Sequence, residues 1–287
     1  MSHAGTARVL GTLIGSLSLL AGCASGRINS TATNIPASQG PRIISLAPSL
    51  TEIAFAIGCG GSLVADTTYD DYPPAAKGLP HVADLAHADL ERIARLRPSI
   101  VIAVHDQEHE GGPIQARLGI PVTYLPNRNL DDLFADIAGV AQACDRTPQG
   151  EALTAQIKQR LKRIEARPLT TTHRPRVLFL LGLPGFTAGK SSFINDLIVL
   201  AGGENIAGQV DQPYPDLSAE AILQADPDII IVSKDTPFGP DVRAREPWRS
   251  LRAVQRGRVV RPPNDSIVER NGPRVVDGLE WLSVQFR

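Results

Sequence analysis

No stretch of this chain stays apolar, without a break, for the roughly 20 residues that a membrane-spanning helix needs. The apolar segment near its start, Val9 to Gly22, is too short and is interrupted by glycine and serine. A lysine and arginine run is also missing. With 29 basic residues against 30 acidic ones and a net charge of −1, there is no stripe to neutralise a nucleic-acid backbone. Long like-charge and low-complexity segments are absent. So are the Gly-x-Ser-x-Gly elbow and any closely spaced histidine and glutamate helix motif of a hydrolase.

The N-terminus is informative. Arg8 is the only charge before residue 27, and the apolar run ends Leu20-Ala21-Gly22-Cys23. This pattern predicts a secretory signal over residues 1–22 with a lipobox, as in bacterial lipoprotein precursors, where Cys23 becomes the lipidated first residue. Residues 23–40 have linker composition and predict a flexible tether. The expectation is an exported protein, in the periplasm or at the cell surface, anchored to a membrane by lipid.

An internal repeat organises the rest. Glu91 to Asp106 reappears in outline as Glu220 to Asp235, with Glu91/Glu220, Ile93/Ile222, Pro98/Pro227, Ile100/Ile229, Ile102/Ile231 and Asp106/Asp235 coinciding without a gap. Each copy predicts a short helix capped by Asp89 or Ser218, a proline stop, and a strand apolar on both faces. Such strands belong to parallel sheets covered by helices. The fold class is therefore α/β with two Rossmann-like lobes, an N-terminal lobe over 41–145 and a C-terminal lobe over 171–287. Between them, 146–170 predicts one long linking helix with Leu153, Ile157, Leu161 and Ile164 on one face. Two lobes imply a cleft, and ligands favour domain interfaces and the carboxyl ends of parallel strands.

Cys59 and Cys144 both fall near helix ends in the first lobe, and either a disulfide or two buried thiols fits the exported compartment. The segment His105-Asp-Gln-Glu-His-Glu110 reads as an acidic loop after a strand, and His105 and His109 are weak metal candidates. His87 is a third, able to meet haem iron with Tyr69 or Tyr72 opposite. Gly185-Phe-Thr-Ala-Gly-Lys-Ser191 imitates a phosphate-binding loop. Its spacing is one residue short, however, and Pro184 stands where the first glycine is required. No catalytic residue is assigned, and a phosphate-ester or nucleotide enzyme is the remote alternative.

Six blocks in order carry a family resemblance: Arg42 to Glu52, Thr68 to Pro74, Asp89 to Ile93, Phe186 to Lys190, Ala201 to Ile206 and Val268 to Arg274. From about residue 41 onward the chain resembles the periplasmic cobalamin-binding proteins of ABC importers, a group that also serves haem, iron-siderophore and divalent-metal uptake. The resemblance implies a binding protein without catalysis or cofactor, whose cleft holds its ligand with little hinge motion. It implies a monomer that meets a permease dimer with ATPase subunits. Its cleft would be lined by Ser49, Tyr69, Leu85, His105, Phe186, Tyr214, Asp265 and Arg270, and Glu91 and Glu220 would dock onto permease arginines. Corrin is a broad apolar disc fringed with amides, suited to aromatic faces plus Tyr, Asp and Arg at the edge. One departure stands out: tryptophans expected near Leu85 and Tyr214 are missing, and the chain has only Trp248 and Trp281.

Overall fold

The computed structural model describes residues 40–84, 87–166 and 174–287. The signal and tether assigned to 1–22 and 23–40, with Cys23, fall outside the described residues except for Gly40, as does Leu85. The first lobe runs β1 (Ile43–Ser45), α1 (Pro48–Ala56), β2 (Leu63–Thr67), β3 (His81–Ala83), α2 (Leu90–Leu96), β4 (Ile100–Val104), α3 (Glu108–Leu118), β5 (Val122–Leu125) and α4 (Asp132–Ala143). Its sheet, in the order β3-β2-β1-β4-β5, is parallel throughout.

Helix α5 (Thr147–Glu165) follows at once, starting on Pro148 and packing against α4. The second lobe comprises β6 (Arg176–Gly182), β7 (Phe186–Thr187), α6 (Phe193–Leu200), β8 (Glu204–Asn205), α7 (Ala219–Ala225), β9 (Ile229–Val232), α8 (Pro240–Arg243), α9 (Arg252–Gln255), β10 (Val259–Val260), α10 (Ser266–Glu269) and α11 (Val275–Gln285). Its sheet order is β10-β9-β6-β7, with β8 also on β6. This sheet is not wholly parallel, because β7 doubles back antiparallel on β6 after the turn at Leu183 to Gly185.

The strands are apolar on both faces because each face meets a different core. In β6, Val177 and Phe179 enter one cluster while Leu178 and Leu180 enter another; β9 divides the same way, Ile229 and Ile231 against Ile230 and Val232. Full burial of each such side chain is worth about 1.5–3 kcal/mol. One cluster is continuous across both lobes, running from Ile43, Leu50 and Ile137 through Ile157, Leu161 and Ile164 of α5 to Phe179, Leu197 and Leu279. Arg160 of α5 adds ion pairs to Asp277 and Glu280 of α11 at 2.8 and 3.0 Å. Helix α5 is thus a strut cemented on both sides.

The repeat is structural. Asp89 and Ser218 cap α2 and α7 by accepting the N–H of Arg92 and Ala221. Both helices end on a left-handed residue, Arg97 and Asp226. An arginine closes each end: Arg42 donates to the carbonyls of Leu96 and Arg97, and Arg252 to that of Asp226. Cys59 and Cys144 form a disulfide with their Cα atoms 6.0 Å apart, joining the ends of α1 and α4. Both tryptophans are spent on packing, Trp248 edge-on against Phe238 in the outer core of the second lobe and Trp281 against the shared core.

Candidate functional site

The carboxyl ends of the two sheets face one another across a cleft. A hollow of about 770 Å³ is lined from the first lobe by Leu46 and Pro48 after β1, Thr67 and Tyr69 at the end of β2, and Gln107 after β4. Lys234 and Asp235 after β9, and Asn264 to Ser266 with Glu269 and Arg270 around α10, close it from the second lobe. A smaller hollow of about 250 Å³, reaching Ser49, Asp106, Asn127 and Tyr214, shares Pro48, Gln107, Glu269 and Arg270 with it. The two hollows form a single cleft.

Of the residues expected there, Tyr69, Asp265 and Arg270 line the larger hollow, and Ser49, Tyr214 and Arg270 the smaller. Phe186, on β7, stands beside Tyr214 with ring centroids 6.2 Å apart. Tyr69, Tyr214 and Phe186 are 46, 42 and 38% exposed, which leaves apolar ring surface available to a ligand. His105 lines neither of these two hollows. It begins a helical turn in place of the expected loop and lies over Tyr124, 6.3 Å between centroids. The neighbouring Gln107 faces the cleft, tied down by accepting the N–H of Val104 and donating to the carbonyl of Leu46.

Arg270 does more than line the wall. Its guanidinium bonds Asp71 at 2.6 Å, Glu52 at 3.2 Å and the carbonyl of Tyr69 at 3.0 Å. Arg274 grips Glu52 with two further bonds of 2.7 and 2.6 Å while its guanidinium covers the Tyr72 ring at 3.7 Å. Glu52 is buried on α1, so this cluster locks the first lobe to the second beneath the cleft. Asn271 extends the lock, donating to the carbonyl of Asn129 and accepting from Asn127.

Acidic side chains dominate the lining, and most were not among the expected residues. Asp71, Asp84, Asp235, Asp265 and Glu269 line the larger hollow against Lys234 and Arg270, and Asp106 and Glu269 line the smaller against Arg270. Burial pushes Glu269 up to about 7, with Asp265 and Asp235 adding to the effect. Asp265 is also raised, first by burial, although the N–H of Lys234 donates to it. Asp106 and Asp235 are the final coincidence of the internal repeat, two and three residues past the ends of the matching strands β4 and β9, so the sequence did contain a pointer to them.

The other candidates sort as follows. Among the described residues no group of three His, Cys, Asp or Glu is placed to hold a metal ion. His105 pairs with Glu108, His109 with Glu110, and His87 with Asp84. In the phosphate-loop imitation, a Cβ on Gly185 would meet the carbonyl oxygen of Leu217 at 2.1 Å, and one on Gly189 that of Gln212 at 2.2 Å. These glycines let the strand pack against residues 210–217. Glu91 and Glu220 are exposed at the second position of α2 and α7. The carboxylate of Glu220 accepts from its own N–H and from the Ser218 hydroxyl, which hold it below the usual range.

Residues 43–265 match the family described as periplasmic binding protein. The chain is 33% identical over 200 residues to the vitamin B12-binding protein of Yersinia pestis (strain Pestoides F), covering 69% of this chain and 71% of that one. In structure it is similar to the periplasmic vitamin B12-binding protein of Vibrio cholerae, with 29% identity, TM-score 0.73 and coverage of 86% of this chain and 96% of that one. It is as similar to a periplasmic heme-binding protein of Roseiflexus sp. RS-1, with 28% identity, TM-score 0.77 and coverage of 86 and 98%. With the family match running over most of the described chain and relatives named for the vitamin B12 or heme they bind, this chain belongs to the periplasmic binding protein family.

Proposed function

We propose that the protein captures cobalamin or a closely related corrinoid in the inter-lobe cleft and passes it to the permease of an ABC importer, held at the membrane by lipid on Cys23. The observation that carries the choice of ligand is the charge of the wall. Five carboxylates face the larger hollow against Lys234 and Arg270, and Arg270 is already engaged by Asp71 and Glu52. Haem presents propionates at its edge, and such a wall repels them. The corrin edge presents amide N–H groups, which carboxylates accept. Tyr69 and Tyr214, with Phe186 beside Tyr214, offer ring faces to the apolar disc. The vitamin B12-binding relatives support the same choice. Haem or an iron siderophore is the second reading, favoured by the equal likeness to a heme-binding protein.

Glu91 and Glu220, at equivalent places on the two lobes, are the proposed contacts to permease arginines. Calorimetric titration with cyanocobalamin tests the ligand site. Tyr69→Ala and Tyr214→Ala should each weaken binding by roughly 1–3 kcal/mol, the scale of a lost packed aromatic ring with its hydroxyl. Lys158→Ala, on α5, should not. Unchanged affinity in both tyrosine variants would move the site away from the cleft.

A further inference from the structure

Glu269, the last residue of α10, lies where the two hollows meet and lines both. The Ser233 hydroxyl hydrogen-bonds its carboxylate, but Oε1 is shielded from solvent and has no partner among the described residues. Asp265, one turn earlier, accepts the N–H of Lys234 on one oxygen and leaves Oδ1 in the same condition. An acceptor left unmatched beside a cavity is costly unless a donor reaches it, whether its own proton, a water or a ligand N–H. The nearby guanidinium of Arg270 is turned to Asp71, Glu52 and the carbonyl of Tyr69.

Resting on the corrinoid reading, we propose that Glu269 decides the chemistry of the ligand edge, accepting the N–H of a primary amide at the junction of the two hollows and turning away a carboxylate there. The groups that face it are consistent with such a filter. From its own segment these are Asp265 and Arg270; from the loop after β9, Ser233, Lys234 and Asp235; from before α7, Tyr214; and across the smaller hollow, Asp106. With its carboxyl pushed up to about 7, chiefly by burial, Glu269 gains negative charge as pH rises from 6 to 8. A neutral carboxyl can donate to a ligand carboxylate; an ionised one repels it. Discrimination should therefore grow as pH rises through this range.

The test uses cyanocobalamin and the mono-acids in which one corrin propionamide has been hydrolysed, each titrated calorimetrically into wild-type protein and Glu269→Gln at pH 6 and pH 8. In the wild type at least one mono-acid should bind about tenfold or more weakly than cyanocobalamin at pH 8, with a smaller gap at pH 6. In Glu269→Gln the gap should close to about threefold or less at both pH values. The wild-type pH series does not depend on how the variant folds. The inference is overturned if wild type binds every mono-acid as it binds cyanocobalamin, or if the variant keeps the gap; either result leaves the corrinoid reading standing. Absence of cyanocobalamin binding to wild type defeats that reading and this inference together.

Discussion

Asp136 sits in the middle of α4 with no exposed surface, accepting one bond of 2.7 Å from Asn127, and its second oxygen has no partner among the described residues. Burial pushes it up to about 6 despite that bond. Asp66, equally buried against His81, is raised to about 6 for the same main reason. For an acid whose folded value lies above its unfolded one, the native chain holds more protons than the unfolded chain between the two values, so stability falls as pH rises through that window. For Asp136 the window runs from the unperturbed 3.8 to about 6. Asp136→Asn keeps an acceptor for Asn127 and removes the buried charge, and should stabilise the protein by on the order of 2–3 kcal/mol at pH 8 and by little near pH 4. Urea denaturation at both pH values checks this; a gain independent of pH would contradict it. Nothing in the sequence around Asp136 announces its burial, because an aspartate on an amphipathic helix reads as solvated until the packing is known.

At the scale of elements, the apolar runs and capping residues were legible. Strands β4 and β9 lie in the two copies of the repeat, and α5 falls inside the 146–170 expected for the linking helix, starting one residue later and ending at Glu165. Helix α3 was not legible, because Gly111, Gly112 and Pro113 have the composition of a turn yet fall inside it. The structure supplies a reason for one of them: a Cβ on Gly111 would meet the Tyr124 hydroxyl at 2.4 Å, so glycine there lets the helix lie on β5. The reversal of β7 escaped for a related reason, since a two-residue strand has no period to read. The matched helices α2 and α7 carry the docking proposal. Glu91→Lys with Glu220→Lys should lower association with the permease and transport, more so at low salt, while cyanocobalamin affinity stays at the wild-type level. Normal transport by a stable double variant would refute the docking role.

At the scale of the whole molecule, one apolar core and one polar lock run through both lobes. Removing one partner from a buried pair such as Glu52 with Arg274 typically costs roughly 3–5 kcal/mol, so the lobes are held in register before any ligand arrives. A cleft held this way presents its wall ready-made, and its charge and ring faces can select a ligand directly. The place of the cleft followed from the two-lobe repeat. Its acidic character did not, because carboxylates at strand ends and on α10 come together only when the two sheets face each other. The most direct measurement is calorimetric titration of the protein, in one buffer, with cyanocobalamin, haem, a ferric siderophore and Zn²⁺. The account predicts saturable one-to-one binding of cyanocobalamin, with haem weaker by about tenfold or more; one-to-one binding of haem, siderophore or Zn²⁺ with none of cyanocobalamin would contradict it.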